Sequence, residues 1–465
     1  MTRRNGITRR QLLETSGLAA GLVTLRTMLW PARAEAAGNA PPGYLLCCYF
    51  SGGWDQLLAL DPRDQTRSQY QPAQAYLNGG SGIYPAYDTV VDANVRAVLS
   101  GNPPGVQTAG KLTFGPAVPA SLLQHAQDLC IVRGVNMGTL THEVGRRYFI
   151  TGKFPRGLQA AGSALPTVIA AQAGDTSEIP NLAVGVESYN EGFPAFASGL
   201  EVQGANDVQN VLRPGGTPLP AATDARLRTY EAEALACSGQ ELDGGGLASL
   251  FRASRLKARE LVLSGAAAHF NFTLDPARQT PEIKSLFSAF NISTYNDLGG
   301  PRGQAALAAQ ALSQGLSQAV SVQLAGGIDD HSTSWSRSHA GNLYKGFDAL
   351  ASLISYLKAA PAVGGGSIWE RTTLMVFSEF SRTPLVNSRG GRDHHLASSC
   401  LLAGPGIQGN QVVGATSETG MTALPLDGNP LRPADLHATL LKSMGLTWDH
   451  LFNQSPRLVP AILKG

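Results

Sequence analysis

The run Thr373-Leu374-Met375-Val376-Phe377 is apolar and partly β-branched throughout, then stops abruptly on Ser378 and Glu379. A stretch with no polar alternation fits a strand covered on both faces, as in a sheet enclosed by helices. A carboxylate is thereby set at a strand's C-terminal end, the edge at which open α/β sheets bind ligands. The arrangement recurs along the chain. Tyr44 to Phe50 leads through Gly52-Gly53 to Asp55, and Ala319 to Leu324 leads through Gly326-Gly327 to Asp329, Asp330 and His331. Another apolar run, Cys400 to Ala403, is preceded by Asp393, His394 and His395. Four such clusters in a chain with only 9 histidines point to a metal or phosphate site, and the residues named are expected to converge in space.

Between these strands the pattern predicts another at Asp128 to Val135, followed by a loop and then a helix within Met137 to Gly152. An amphipathic helix is expected over Tyr344 to Lys358. From about 175 to 318 the strand signals thin out and Ala/Leu/Arg/Glu-rich helical patterns replace them, so this part is expected to be a helical insertion. With 465 residues, 43% of them hydrophobic, the chain can bury one large α/β core spanning 41–465. The formal net charge of +2 gives no basis for nucleic-acid binding. Cys47, Cys48, Cys130, Cys237 and Cys400 read as buried apolar thiols rather than a disulfide framework.

Residues 1–36 read as an address. Thr8-Arg9-Arg10-Gln11-Leu12-Leu13, the apolar run Leu18 to Leu25 and the small-residue sites Ala32-Arg33-Ala34 and Ala34-Glu35-Ala36 follow in the order of a twin-arginine export signal. That order predicts engagement of the twin-arginine machinery and a periplasmic or extracellular destination. No later stretch offers about 18 uninterrupted apolar residues, so no stable membrane span is expected after cleavage.

Gly53-Trp54-Asp55, Gly326 to His331, Ser378-Glu379-Phe380-Ser381-Arg382-Thr383-Pro384 and Gly391-Arg392-Asp393-His394-His395, together with the export signal, resemble the exported bacterial proteins of domain-of-unknown-function family 1501. That family is related to the sulfatases and the alkaline phosphatase superfamily. The resemblance implies an alkaline-phosphatase-like fold, with a central mixed, mostly parallel sheet flanked by helices. Ser378-Glu379 sits where sulfatases carry Ser-Asp-His-Gly, and Leu401 to Gly409 looks like the Gly-Pro-Gly-Ile segment that follows it. Ala434 to Leu441 is similar to a late sulfatase helix, inside which His437 reads as structural. The sulfatase nucleophile, nine residues before a Thr-Gly pair, maps onto His142, and the motif's arginine onto Arg146. Neither Cys nor Ser occupies that slot. Either Thr141 or Thr139 supplies a hydroxyl, or His142 is itself nucleophile or ligand, or the covalent step is absent. A divalent ion can activate water for direct attack, so hydrolysis does not depend on a side-chain nucleophile.

The candidate metal ligands are therefore Asp55, Asp329, Asp330, His331, Glu379, Asp393, His394 and His395, and the candidate catalytic residues His142, Thr141 and Arg146. A mixed carboxylate and imidazole set favours Zn²⁺ or Mn²⁺, with Ca²⁺ or Mg²⁺ also accommodated, as one or two ions. Arg382 and Arg392 are candidates for binding a substrate's oxyanion. The function implied is an exported metal-dependent hydrolase of sulfate or phosphate esters, on a small-molecule or polysaccharide substrate. Two alternatives on the same fold are a non-catalytic metal binder and an envelope- or carbohydrate-binding protein displaying Tyr189, Phe193 and Phe196.

Overall fold

The computed structural model describes residues 43–63, 106–213 and 257–465 except 363 and 386, with scattered positions between 220 and 233. The expected export signal and Cys237 lie outside the described residues. The sheet, the core and the site belong to one unit, Pro41–Pro218 with Ala253–Gly465. A second unit, Met1–Ala40 with Leu219–Arg252, is represented only by helical positions between 222 and 233.

The strands of the main sheet and the site are β1 (Tyr44–Phe50), β2 (Cys130–Asn136), β3 (Asn181–Val184), β4 (Leu200–Val202), β5 (Ala319–Ala325), β6 (Thr372–Phe377), β7 (Ser381–Arg382), β8 (His394–His395), β9 (Ala397–Ala403) and β10 (Gln411–Val413). All but the two-stranded β7–β8 pair form an eight-stranded sheet in the order β10-β2-β9-β6-β1-β5-β3-β4. Seven of those strands run in one direction, and β9 runs antiparallel to both of its neighbours. The mixed, mostly parallel α/β sheet expected from the sequence is thus present.

Alternate residues of each strand enter separate cores. Leu46, Cys48 and Phe50 pack with α3 (Pro301–Ser313) and α4 (Ala340–Ala359), whereas Leu45, Cys47 and Tyr49 pack with α1 (His142–Thr151), α2 (Leu165–Ala173) and α5 (Pro433–Ser443). Both faces are covered, which is why the strand sequences lack alternation. The four described cysteines are buried in these strands and unbridged. Among the described residues no helix is long and apolar enough to cross a membrane.

The stretch expected to be a helical insertion needs correction at its start, because β3 and β4 extend the sheet through residues 181–202. Strands of three and four residues are too short to establish a period against helical surroundings. Helix α3 and a turn of helix from 257 to 263 follow the expected pattern.

His437 sits inside α5 with no exposure, donating from Nε2 to the Phe149 carbonyl at 2.7 Å. Burial pushes its imidazole down to about 4. Between that value and an unfolded value near 6.5, the unfolded chain binds a proton that the folded chain refuses, so stability falls as pH falls through this window. The expected loss is about 3 kcal/mol once pH is below about 4. Chemical denaturation at pH 7 and pH 4.5 should show most of it, and a His437→Gln variant should lose less over the same interval.

Candidate metal centre

Because β9 runs backwards, its first residue, Ala397, pairs with Asn136, the last of β2. The segment before β9 therefore lies at the same edge as the segments after β1, β2, β5 and β6. Two glycines make the β1 end fit. A Cβ on Gly52 would lie 2.7 Å from the Asp329 nitrogen, and one on Gly53 would lie 2.6 Å from the Phe380 ring; both have positive φ. Gly145, three residues into α1 from His142, lets the helix pack directly on the Glu379 backbone, where any Cβ would strike the carbonyl. That close approach brings His142 to Glu379.

Three imidazoles converge here. His142 directs Nδ1 to Glu379 Oε1 at 2.7 Å, His331 directs Nδ1 to Asp393 Oδ1 at 2.7 Å, and His394 directs Nδ1 to the Leu140 carbonyl at 2.6 Å. With each ring neutral and its proton on Nδ1 toward these acceptors, each Nε2 carries a lone pair, which on His331 accepts from Arg382. The His331 and His394 Nε2 atoms lie 2.8 Å apart, and His142 Nε2 is buried without a hydrogen-bond partner. Asp329 Oδ1 lies 3.3, 3.2 and 3.6 Å from the Nε2 atoms of His142, His331 and His394. Ligand atoms around a tetrahedral Zn²⁺ are about 3.4 Å apart, given metal–ligand bonds of about 2.1 Å. His142, Asp329 and His394 each offer one atom within 4.8 Å of the others. The residues present fit a divalent cation. Asp329 is half exposed, which opens this point to solvent.

Local backbone geometry decides which neighbours take part. Successive side chains of extended chain point opposite ways, so Asp329 and His331 face the cluster while Asp330 turns to His339 Nδ1 at 3.0 Å. In the β7–β8 ladder His394 pairs with Arg382 and His395 with Ser381. His394 and Arg382 thus share the cluster's face. His395 is buried on the other side, between the carbonyls of Ala397 and Met421.

Several expected roles are redistributed. Glu379 is buried, accepting also from the Gly52 amide at 2.9 Å, and orients His142. Asp393 does the same for His331, with Asn387 donating to it at 3.0 Å. Asp55 lies apart from the three imidazoles: its Oδ2 accepts from Trp335 Nε1 at 2.8 Å and faces Arg392 Nε at 3.1 Å, and its Oδ1 takes the Leu57 amide. Arg392 is buried against that carboxylate and over the Trp335 ring, out of reach of a substrate's oxyanion. Arg146 binds Glu187 through two bonds of 3.1 and 2.9 Å, so it too is engaged away from the cluster. Thr141 is exposed at the start of α1 with no side-chain capping bond. Arg382 stays at the centre but has no donor left, since its five N–H groups serve Gly53 O, Arg392 O, His331 Nε2, Gly52 O and Asp329 Oδ1. Tyr189 is bonded to Glu187, and Phe193 packs partly buried against the core.

The sequence model of a family described as "Protein of unknown function (DUF1501)" matches residues 44–456. The chain belongs to the DUF1501 family. No curated protein matches it. Solved structures to which the DUF1501 chain is similar include Ps i-CgsB, at 9% identity over 90% of this chain and 75% of that one, with a TM-score of 0.36. The lipoteichoic acid synthase LtaP from Listeria monocytogenes matches at 8% identity over 88% and 73%, with a TM-score of 0.33. A variant of TAB5 alkaline phosphatase with magnesium bound matches at 12% identity over 88% and 99%, with a TM-score of 0.34.

The electrostatics of the DUF1501 site follow from its pairing. Burial works to raise Asp329, but the Arg382 guanidinium overrides it and holds the carboxyl down at about 2. Burial opposes protonation of His142, yet the bond and charge of Glu379, with Asp329 beyond, raise it. His394 is lowered, by burial first and then by the positive field of Arg382. Sequence reasoning missed His339, which accepts from the Asp55 amide at 3.0 Å and so ties the β1 end to Asp330. Its only signal was a histidine after Trp335 on the approach to α4, with no acid beside it.

Proposed function

We propose that this protein is a metal-dependent hydrolase of sulfate or phosphate esters, holding Zn²⁺ or Mn²⁺ through His142 Nε2, Asp329 Oδ1 and His394 Nε2, with His331 Nε2 against them. The observation that carries the reading is that three imidazoles each commit Nδ1 to a separate acceptor, two of them carboxylates, and turn Nε2 to one point. This is the outer support that metal-binding histidines ordinarily have. A divalent cation bound there supplies Lewis-acid polarisation of an ester oxygen and a more acidic water.

The chain's own residues define the rest. Glu379, Asp393 and the Leu140 carbonyl fix the rings, and Arg382 keeps Asp329 ionised across the working pH range. The slot that aligns with a sulfatase nucleophile holds His142, and its ring is taken up by Glu379 and the cluster. Water is therefore the attacking group in this reading. Ester substrates, small or polysaccharide, reach the site past the half-exposed Asp329.

Metal analysis of the purified mature protein, then a sulfate- and phosphate-ester panel with each metal, tests the reading. We expect turnover with Zn²⁺ or Mn²⁺, its loss on chelation and its return on reloading. Stoichiometric metal with no ester cleaved would replace the hydrolase with a non-catalytic metal binder. Export is part of the same proposal: substituting Lys at both Arg9 and Arg10 should hold the precursor in the cytoplasm, as read by fractionation and immunoblot.

A further inference from the structure

We infer that this centre takes a single divalent ion, and that the Arg382 guanidinium occupies the place of a second. The inference rests on the metal reading above and adds the ion count and the reason for it. Arg382 is fully buried, and its register partner His394 fixes the face it occupies. Its NH2 donates to Asp329 Oδ1 at 2.5 Å and its NH1 to His331 Nε2 at 3.1 Å, two of the four convergent donor atoms. The other three N–H groups are bound by the carbonyls of Gly52, Gly53 and Arg392, so the planar cation is anchored in that position.

Among the described residues, the neighbouring acids are each engaged by other groups. Asp55 is committed to Arg392 and Trp335, Asp330 to His339, Glu379 to His142 and Gly52, and Asp393 to His331 and Asn387. In an enzyme that stabilises charge on a transferred group with two cations, the second is normally a metal. Here the second positive charge is covalently part of the chain and lies beside the shared carboxylate. Without Arg382, five acceptors would line a pocket of guanidinium size: three carbonyl oxygens, Asp329 Oδ1 and His331 Nε2.

The full mature protein is loaded with excess Mn²⁺, freed of unbound metal by gel filtration, and measured by elemental analysis and electron paramagnetic resonance. One Mn²⁺ per chain with an isolated six-line spectrum is expected. Two per chain with an exchange-coupled spectrum would overturn the inference while leaving the metal reading intact. No retained metal would overturn both. In Arg382→Ala, checked for folding by circular dichroism, a second Mn²⁺ should enter, and millimolar guanidinium should displace it. A folded Arg382→Ala that still holds one ion would remove Arg382 from the explanation. If that variant does not fold, the wild-type stoichiometry and spectrum decide alone.

Discussion

Asp329→Ala and His394→Ala should each weaken Zn²⁺ binding by more than about 100-fold, beyond the 10- to 100-fold range that loss of an outer partner produces. Each removes a donor atom from the set that converges at one point, and among the described residues Asp329 supplies the carboxylate oxygen within 3.6 Å of all three Nε2 atoms. Glu379→Gln should fall inside the outer-partner range, because the donor on His142 survives while the carboxylate that fixes its tautomer does not. His395→Ala should leave affinity near wild type, since that ring faces two backbone carbonyls away from the cluster. Competition with a chromophoric chelator would rank the four variants. Equal losses at His395 and His394 would contradict the register that separates them.

Asp55→Ala should lower unfolding stability by about 3–5 kcal/mol while the folded fraction keeps its metal. The carboxylate is fully buried, and removing it takes from the nearly inaccessible Arg392 guanidinium the negative charge 3.1 Å from its Nε. The Trp335 indole loses its acceptor and the Leu57 amide loses its own, which adds to the cost. Urea denaturation with parallel metal analysis checks both halves. Metal loss without destabilisation would restore Asp55 to the ligand set.

The strands that carry the site were legible because burial on both faces leaves an unbroken apolar run: Tyr44–Phe50 and Thr372–Phe377 lie where the pattern put them. Position at a strand end was legible too, since polarity begins abruptly there. What the sequence withheld was direction. Asp329 and Asp330 look equivalent on paper, as do His394 and His395, yet a period of two sends one of each pair to the cluster and the other away. Arg382 and Arg392 read alike as oxyanion donors because the acceptors that occupy them, carbonyls of Gly52 and Gly53 and the carboxylate of Asp55, are more than 300 positions distant. His142 read as nucleophile or ligand, and only the helix packing at Gly145 reveals that its Nδ1 is taken by Glu379.

The reversed strand β9 sets the order in which this site can come into being. The donor atoms come from residues 142, 329, 331 and 394, and the last of them is positioned only when β9 has threaded between β2 and β6. On the metal reading, a chain ending before that strand would offer isolated imidazoles rather than the converged set. Insertion of β9 is a long-range closure, slow compared with local helix formation. On the metal reading proposed above, selection of the ion would be deferred to a nearly finished molecule, and the compartment in which the last strand docks, rather than the one in which synthesis begins, would determine which metal is acquired.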